Sequence, residues 1–175
     1  MKIALVTDTH FGARNDHDHF NNYFYEFYDN IFFPYLKEHN IDTCIHLGDV
    51  MDRRKFVSYK TAKDFREQFC ETFVTNDINV HMIVGNHDTY FKNTNEVNSL
   101  DELIGSRYEN IKIYREAETV QFDIPICFIP WINSTNEKQT IEHISKTNAT
   151  VAMGHLEIKG FEMHHGFPSE TGMDK

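Results

Sequence analysis

The chain has 175 residues, of which 40% are apolar and 14% aromatic, enough for one domain with a packed core and incompatible with disordered, collagen-like or coiled-coil classes. Seventeen basic residues against 27 acidic ones give a net charge of −10, the wrong sign for binding nucleic acid by bulk electrostatics. No run of about 18 apolar residues exists to span a membrane, and the apolar opening Met1–Val6 is too short for a signal peptide. Cys44, Cys70 and Cys127 are odd in number and widely spaced, a poor disulfide framework that points to a reducing, cytoplasmic setting.

Lys2–Thr7 is an apolar, β-branched run that predicts a buried strand. Phe20, Phe24, Phe27, Ile31 and Tyr35 recur at helical spacing, predicting an amphipathic helix that Pro34 kinks or restarts. Thr43–Leu47 predicts the second strand. Ser58 is a candidate N-cap for a helix reaching Thr75, with Ala62, Phe65, Phe69 and Phe73 on one face. Asn79–Val84 predicts the third strand. The β-α-β-α-β order is that of a parallel sheet covered by helices. Beyond it, the pattern predicts a short helix over Asn98–Ile104 and strands at Ile111–Tyr114, Thr119–Phe122 and Ile124–Ile129, the last two as a hairpin. A helix over Glu137–Lys146 and a strand over Thr150–Met153 follow. No element is predicted after His155.

Polar residues gather just beyond the strand ends: Asp8-Thr9-His10, Gly48-Asp49 with Asp52, Gly85-Asn86-His87-Asp88, and Gly154-His155. In open α/β sheets ligands bind outside the carboxyl ends of the strands, so these four segments are expected to converge. Asp8 and His10, two apart in an extended segment, leave on one face and can share a metal. Asp49 can bridge two cations about 3.5–4 Å apart. Asn86 adds a neutral oxygen and His155 an imidazole, a donor set suited to borderline divalent metals. Arg53, Arg54 and Lys55 form the tightest basic cluster, a candidate for phosphate contacts or a solvated loop. Asp52 and Asp88 are candidates for supporting roles. Asp88 is read as orienting His87 or capping its turn. His46, inside a strand, reads as a satisfied core histidine, and Trp131 as packing.

This combination of Asp-x-His, Gly-Asp, Gly-Asn-His-Asp and Gly-His resembles the calcineurin-like metallophosphoesterase superfamily over nearly the whole chain. Within it, the Met1–Gly12 opening, Ile45–Arg54 and Gly154–Gly160 resemble the SbcD-type nuclease subunits of double-strand-break repair, T-even phage members among them. The resemblance implies an α/β metallophosphoesterase sandwich flanked by helices (α/β/β/α). Asp8, His10 and Asp49 would hold the first of two divalent cations, and Asp49, Asn86 and His155 the second, manganese before magnesium. His87 would be the catalytic residue acting on the scissile phosphate or the leaving oxygen.

The resemblance further implies DNA as substrate, an SbcC-like coiled-coil ABC-type ATPase as partner, and a homodimer through helices near Phe65–Phe73 and Leu100–Ile104. The location would be cytoplasmic, that of the host for a phage-encoded protein. The family's further Gly-His-x-His element does not occur in the 175 residues. Residues 1–175 are therefore read as the C-terminally truncated, N-terminal part of a nuclease domain, without the final His-x-His motif, capping domain and ATPase-docking segment, and impaired alone. A phosphoprotein or cyclic-nucleotide phosphoesterase, or a non-catalytic dimerisation or partner-binding module, are the alternatives.

Overall fold

The predicted strand runs alternate with helices because each apolar stretch is long enough to bury a strand but not to bury itself. In a computed structural model, which describes residues 1–173, β1 (Ala4–Val6), β2 (Thr43–His46), β3 (Asn79–Ile83) and β4 (Ile111–Tyr114) form a four-stranded parallel sheet in that order. Leu5 pairs with Ile45, Ile45 with His81, and Met82 with Ile113. A second sheet has the order β5 (Glu118–Gln121), β6 (Pro125–Ile129) and β7 (Val151–Gly154). Its first pair is the expected antiparallel hairpin and its second pair is parallel.

The two sheets pack face to face. Ile45, Ile83 and Tyr114 of the first meet Ile126 and Phe128 of the second, with Ile3, Leu47, Val120 and Val151 at the margin. The other face of the first sheet packs against the two long helices through Phe11, Tyr28, Phe33, Leu36, Phe65, Phe69 and Phe73. The helix Glu137–Lys146 joins the second sheet through His143 Nε2 and Thr119 Oγ1, 2.9 Å apart. This is a mixed α/β architecture of two central sheets flanked by helices. No helix is long and apolar enough to cross a membrane among the described residues.

Both long helices are interrupted by a wide, π-helical stretch. The first runs through Asp18–Phe27, a π-helical Tyr28–Phe32 and Phe33–Glu38. Pro34 lies just after the wide stretch, where Phe33 N–H reaches back to the Tyr28 carbonyl and the hydrogen-bond ladder changes register. The second runs through Tyr59–Asp64, Phe65–Cys70 and Glu71–Thr75. Ser58 caps it as expected, its Oγ accepting the Thr61 N–H at 3.1 Å.

The first helix corrects the sequence reading. The stripe Phe20, Phe24, Phe27, Ile31, Tyr35 faces outward, with Ile31 59% exposed, while Tyr28, Phe33 and Leu36 are buried. This helix carries two apolar faces, and periodicity alone does not say which one meets the sheet. Its aromatic-rich Tyr25, Tyr28, Phe32, Phe33 side won by matching the rings of Phe11, Phe69 and Phe73. Phe65, Phe69, Phe73 and Leu100 are fully buried and Ile104 nearly so. The stripe is core, and it leaves no exposed apolar seam there for a dimer. After His155, where no element was expected, β8 (Glu162–His164) and β9 (Phe167–Pro168) form a short antiparallel pair.

Candidate metal centre

The strand-end loops are stitched together by main-chain hydrogen bonds. The N–H groups of Asp8, His10 and Phe11 donate to the carbonyls of Gly48, Asp49 and Val50 at 3.1, 3.1 and 2.8 Å, and Asp52 N–H returns to Phe11. The segment after β1 thus runs beside the segment after β2. Its backbone is not extended, as the sequence reading assumed: Asp8, His10 and Asp49 all have positive φ, at 54°, 43° and 54°. Left-handed non-glycine residues are costly and gather where surrounding structure holds them for function. Gly48, at φ 102°, sits at the closest point, where a Cβ would lie 2.8 Å from His155 Nδ1 and 2.9 Å from Gly85 Cα.

Asp8, His10 and Asp49 come together as expected, though by this folded route. His10 Nε2 is 3.5 Å from Asp8 Oδ1 and 3.8 Å from Asp49 Oδ2. Asp49 is buried, whereas Asp8 is half exposed. His10 Nδ1 is buried without a hydrogen-bond partner and stands 3.8 Å from Asp52 Oδ1. His87 enters the same cluster: one donor atom each from His10, Asp49 and His87 lie within 4.8 Å of one another. The rings of His10 and His87 meet edge-on at 5.0 Å.

His87 is pinned on two sides. Its backbone N–H donates to Asp49 Oδ1 at 2.8 Å, and its Nδ1 lies 2.6 Å from the Asp52 carbonyl. A carbonyl only accepts, so Nδ1 carries the proton and Nε2 is left free.

The second group is Asp49, Asn86 and His155. His155 Nδ1 lies 2.9 Å from the Leu47 carbonyl, and Nε2 lies 2.8 Å from Asn86 Oδ1 and 3.4 Å from Asp49 Oδ1. With Nδ1–H donating to Leu47, an unprotonated Nε2 faces two oxygen acceptors. A cation among an imidazole, an amide oxygen and a carboxylate satisfies all three. The orphaned His10 Nδ1 and this acceptor-only corner both fit divalent metals with mixed nitrogen and oxygen ligands.

A family model described as calcineurin-like phosphoesterase matches residues 1–171. The chain belongs to the calcineurin-like phosphoesterases. It is 34% identical over 170 residues to a protein named exonuclease subunit 1 of Enterobacteria phage T4, a match that covers 97% of this chain and 49% of the relative. The chain thus spans about half the length of that relative. A solved structure of a protein of unknown function from Aquifex aeolicus is 14% identical, with a TM-score of 0.47 over 95% of this chain and 82% of the other.

In the candidate centre, Asp88 caps the turn. Its Oδ1 accepts Met51 N–H and its Oδ2 accepts Gly85 N–H, both at 2.9 Å. It is fully buried, and burial pushes its carboxyl up to about 7 in spite of those donors. Asp52 serves through its carbonyl on His87 and its carboxylate beside His10.

The basic cluster is splayed. Arg53 bonds Asp16 Oδ2 at 2.8 Å and lies over the Phe56 ring. Arg54 bonds Thr89 Oγ1 at 2.9 Å, and Lys55 lies over Tyr90. Arg53 thereby ties the segment after β2 to the loop after His10.

His46 is a satisfied core histidine, as read. Gly48 N–H donates to its Nδ1 at 3.3 Å, and its Nε2–H meets Thr9 Oγ1 at 3.0 Å. Burial lowers its pKa to about 3. Sequence reasoning missed Thr9, which ties His46 to the Val50 carbonyl. It also missed Asp16, which accepts from Ser58, Thr61 and Arg53. Asp16 had a faint signal in its place within the polar loop of the Asp-x-His segment.

Proposed function

We propose that this phosphoesterase hydrolyses DNA phosphodiester bonds as a nuclease subunit, with Asp8, His10, Asp49, Asn86 and His155 holding two divalent cations and His87 acting on the substrate. The observation that carries this reading is that His10, His87 and His155, from three other strand ends, set ring nitrogens around the buried Asp49 carboxylate, with Asp8 beside His10 and Asn86 beside His155. The T4 relative's name, an exonuclease subunit, supports DNA as substrate and a second protein as partner. The SbcC-like ATPase is the partner that the resemblance adds. Manganese suits the mixed donor set. The proposed homodimer has no exposed apolar seam at Phe65, Phe69 and Phe73, which are spent in the core.

Bound cations would supply Lewis-acid stabilisation of the phosphate and a nucleophile at neutral pH. Asp49, whose Oδ1 accepts the His87 N–H, keeps Oδ2 toward His10. His87, fixed by the Asp52 carbonyl, presents Nε2 to exchange a proton with the leaving sugar oxygen. Leu47 holds His155 in the tautomer that leaves Nε2 available.

The test is cleavage of linear DNA with manganese by the intact subunit and its partner, beside bis(p-nitrophenyl) phosphate. DNA cleavage that Asp49→Asn abolishes is the expected result. Hydrolysis of the aryl diester with no cleavage of DNA under any metal would replace the nuclease reading by a small-diester phosphoesterase.

A further inference from the structure

Beside His155, a cavity of about 310 Å³ opens between the segment after β6 and the segment after β7. Trp131, Ile132 and Leu156 give it apolar walls, and the acidic Glu137 and Glu157 line it, one oxygen of Glu157 being held by Ser169 and Thr171 and the other left as an acceptor. No lysine or arginine lines it among the described residues. Such a lining repels a phosphate and suits a flat, amine-bearing ring, which stacks on an aromatic face and donates to carboxylates.

Trp131 is held as a rigid platform. Its backbone N–H donates to the Val84 carbonyl at 2.8 Å. Its own carbonyl accepts from Asn95 Nδ2 at 2.9 Å and Asn136 Nδ2 at 3.0 Å. Val84 directly precedes Gly85-Asn86-His87, so the indole is registered to the metal loop. Yet its side-chain N–H is buried with no acceptor. That N–H lies in the ring plane, at the edge of the indole and apart from the face on which a base stacks. The indole meets the His155 ring edge-on at 6.4 Å, one side chain from the Asn86 and Asp49 oxygens.

We propose that this cavity is a nucleobase subsite, with Trp131 as its stacking platform, that seats the base next to the scissile phosphate. The inference rests on the nuclease reading and names where that substrate's base lies. Trp131 is the chain's one tryptophan, so its emission reports the cavity directly.

The experiment titrates deoxyadenosine 5′-monophosphate into the protein with divalent metal removed by chelator, and repeats the titration with 2-deoxyribose 5-phosphate. Saturable quenching by the nucleotide and none by the sugar phosphate is the expected result. Ser134 lies on the exposed rim of the cavity, and Ser134→Phe should weaken the quenching roughly tenfold by occupying the stacking space, each protein being titrated against its own ligand-free emission. Equal quenching by the sugar phosphate, no quenching at all, or undiminished quenching in Ser134→Phe would overturn the subsite. The readout needs neither metal nor turnover. Quenching without DNA cleavage leaves the subsite standing and sinks the nuclease reading; cleavage without quenching sinks the subsite alone.

Discussion

Nε2 of His155 faces Oδ1 of Asn86 across 2.8 Å, while Nδ1 of the same ring is committed to the Leu47 carbonyl at 2.9 Å. Two strand ends separated by 69 residues thereby present acceptors to one another. A second proton on the ring, an amide turned about its bond, or a cation relieves that contact. The nearby Asp49 carboxylate makes a cation the best fit.

That geometry predicts a hierarchy of metal affinity. In manganese titrations followed by calorimetry, Asp49→Asn should weaken every site at least tenfold, because its two oxygens face both groups. His155→Ala should weaken one site only. Uniform loss in both variants would show that the two groups are not separate sites.

His87 lies close enough to His10 and Asp49 to be either ligand or acid. With Nδ1 held by Asp52, we expect His87→Ala to lower kcat by about 10²–10⁴, the range for losing a general acid, with manganese affinity within about threefold. Parallel loss of rate and affinity in single-turnover and calorimetric measurements would make it a ligand.

His46 sets a pH dependence of stability. Its folded pKa is lowered to about 3 by burial, against about 6.5 in an unfolded chain. Between those values the unfolded state takes up a proton that the folded state refuses. Its contribution is therefore intact above about pH 6.5 and falls by up to about 1.4 kcal/mol per pH unit as the medium is acidified toward 3. His81, lowered to about 4 chiefly by burial, adds a smaller slope of the same sign. Urea unfolding from pH 7 to 4 should be steeper in the parent than in His81→Phe. Identical slopes would show that His81 does not enter the linkage.

The two faces of the first helix separate cleanly by mutation. Tyr28→Ala should cost about 3–5 kcal/mol as a buried aromatic truncation. Tyr23→Ser, at a side chain 69% exposed, should stay within about 0.5 kcal/mol. Equal destabilisation in chemical melts would restore the outward stripe to the core.

Several features were legible because they are local. The Ser58 cap, the β5–β6 hairpin and the alternation of strand and helix each depend on a few neighbouring residues. The convergence of Asp8, Asp49, Asn86 and His155 followed from one topological rule, that parallel strands deliver their carboxyl ends to one edge. The details of that convergence were not local. Asp8 and His10 meet through left-handed backbone, not the extended pairing that their spacing suggested, because Gly48 and Asp49 carbonyls draw their N–H groups in.

The sequence by itself determined the main elements up to His155, the parallel sheet and the identity of the polar residues at its edge, since periodicity and strand-end composition are written within short windows. Only the tertiary structure decided which apolar face of the first helix is buried, since both faces satisfy the same period. It also decided that Arg53 is paired with Asp16 and that the one tryptophan lines a cavity with its N–H unpartnered. Those outcomes depend on which distant surfaces compete for the same side chain.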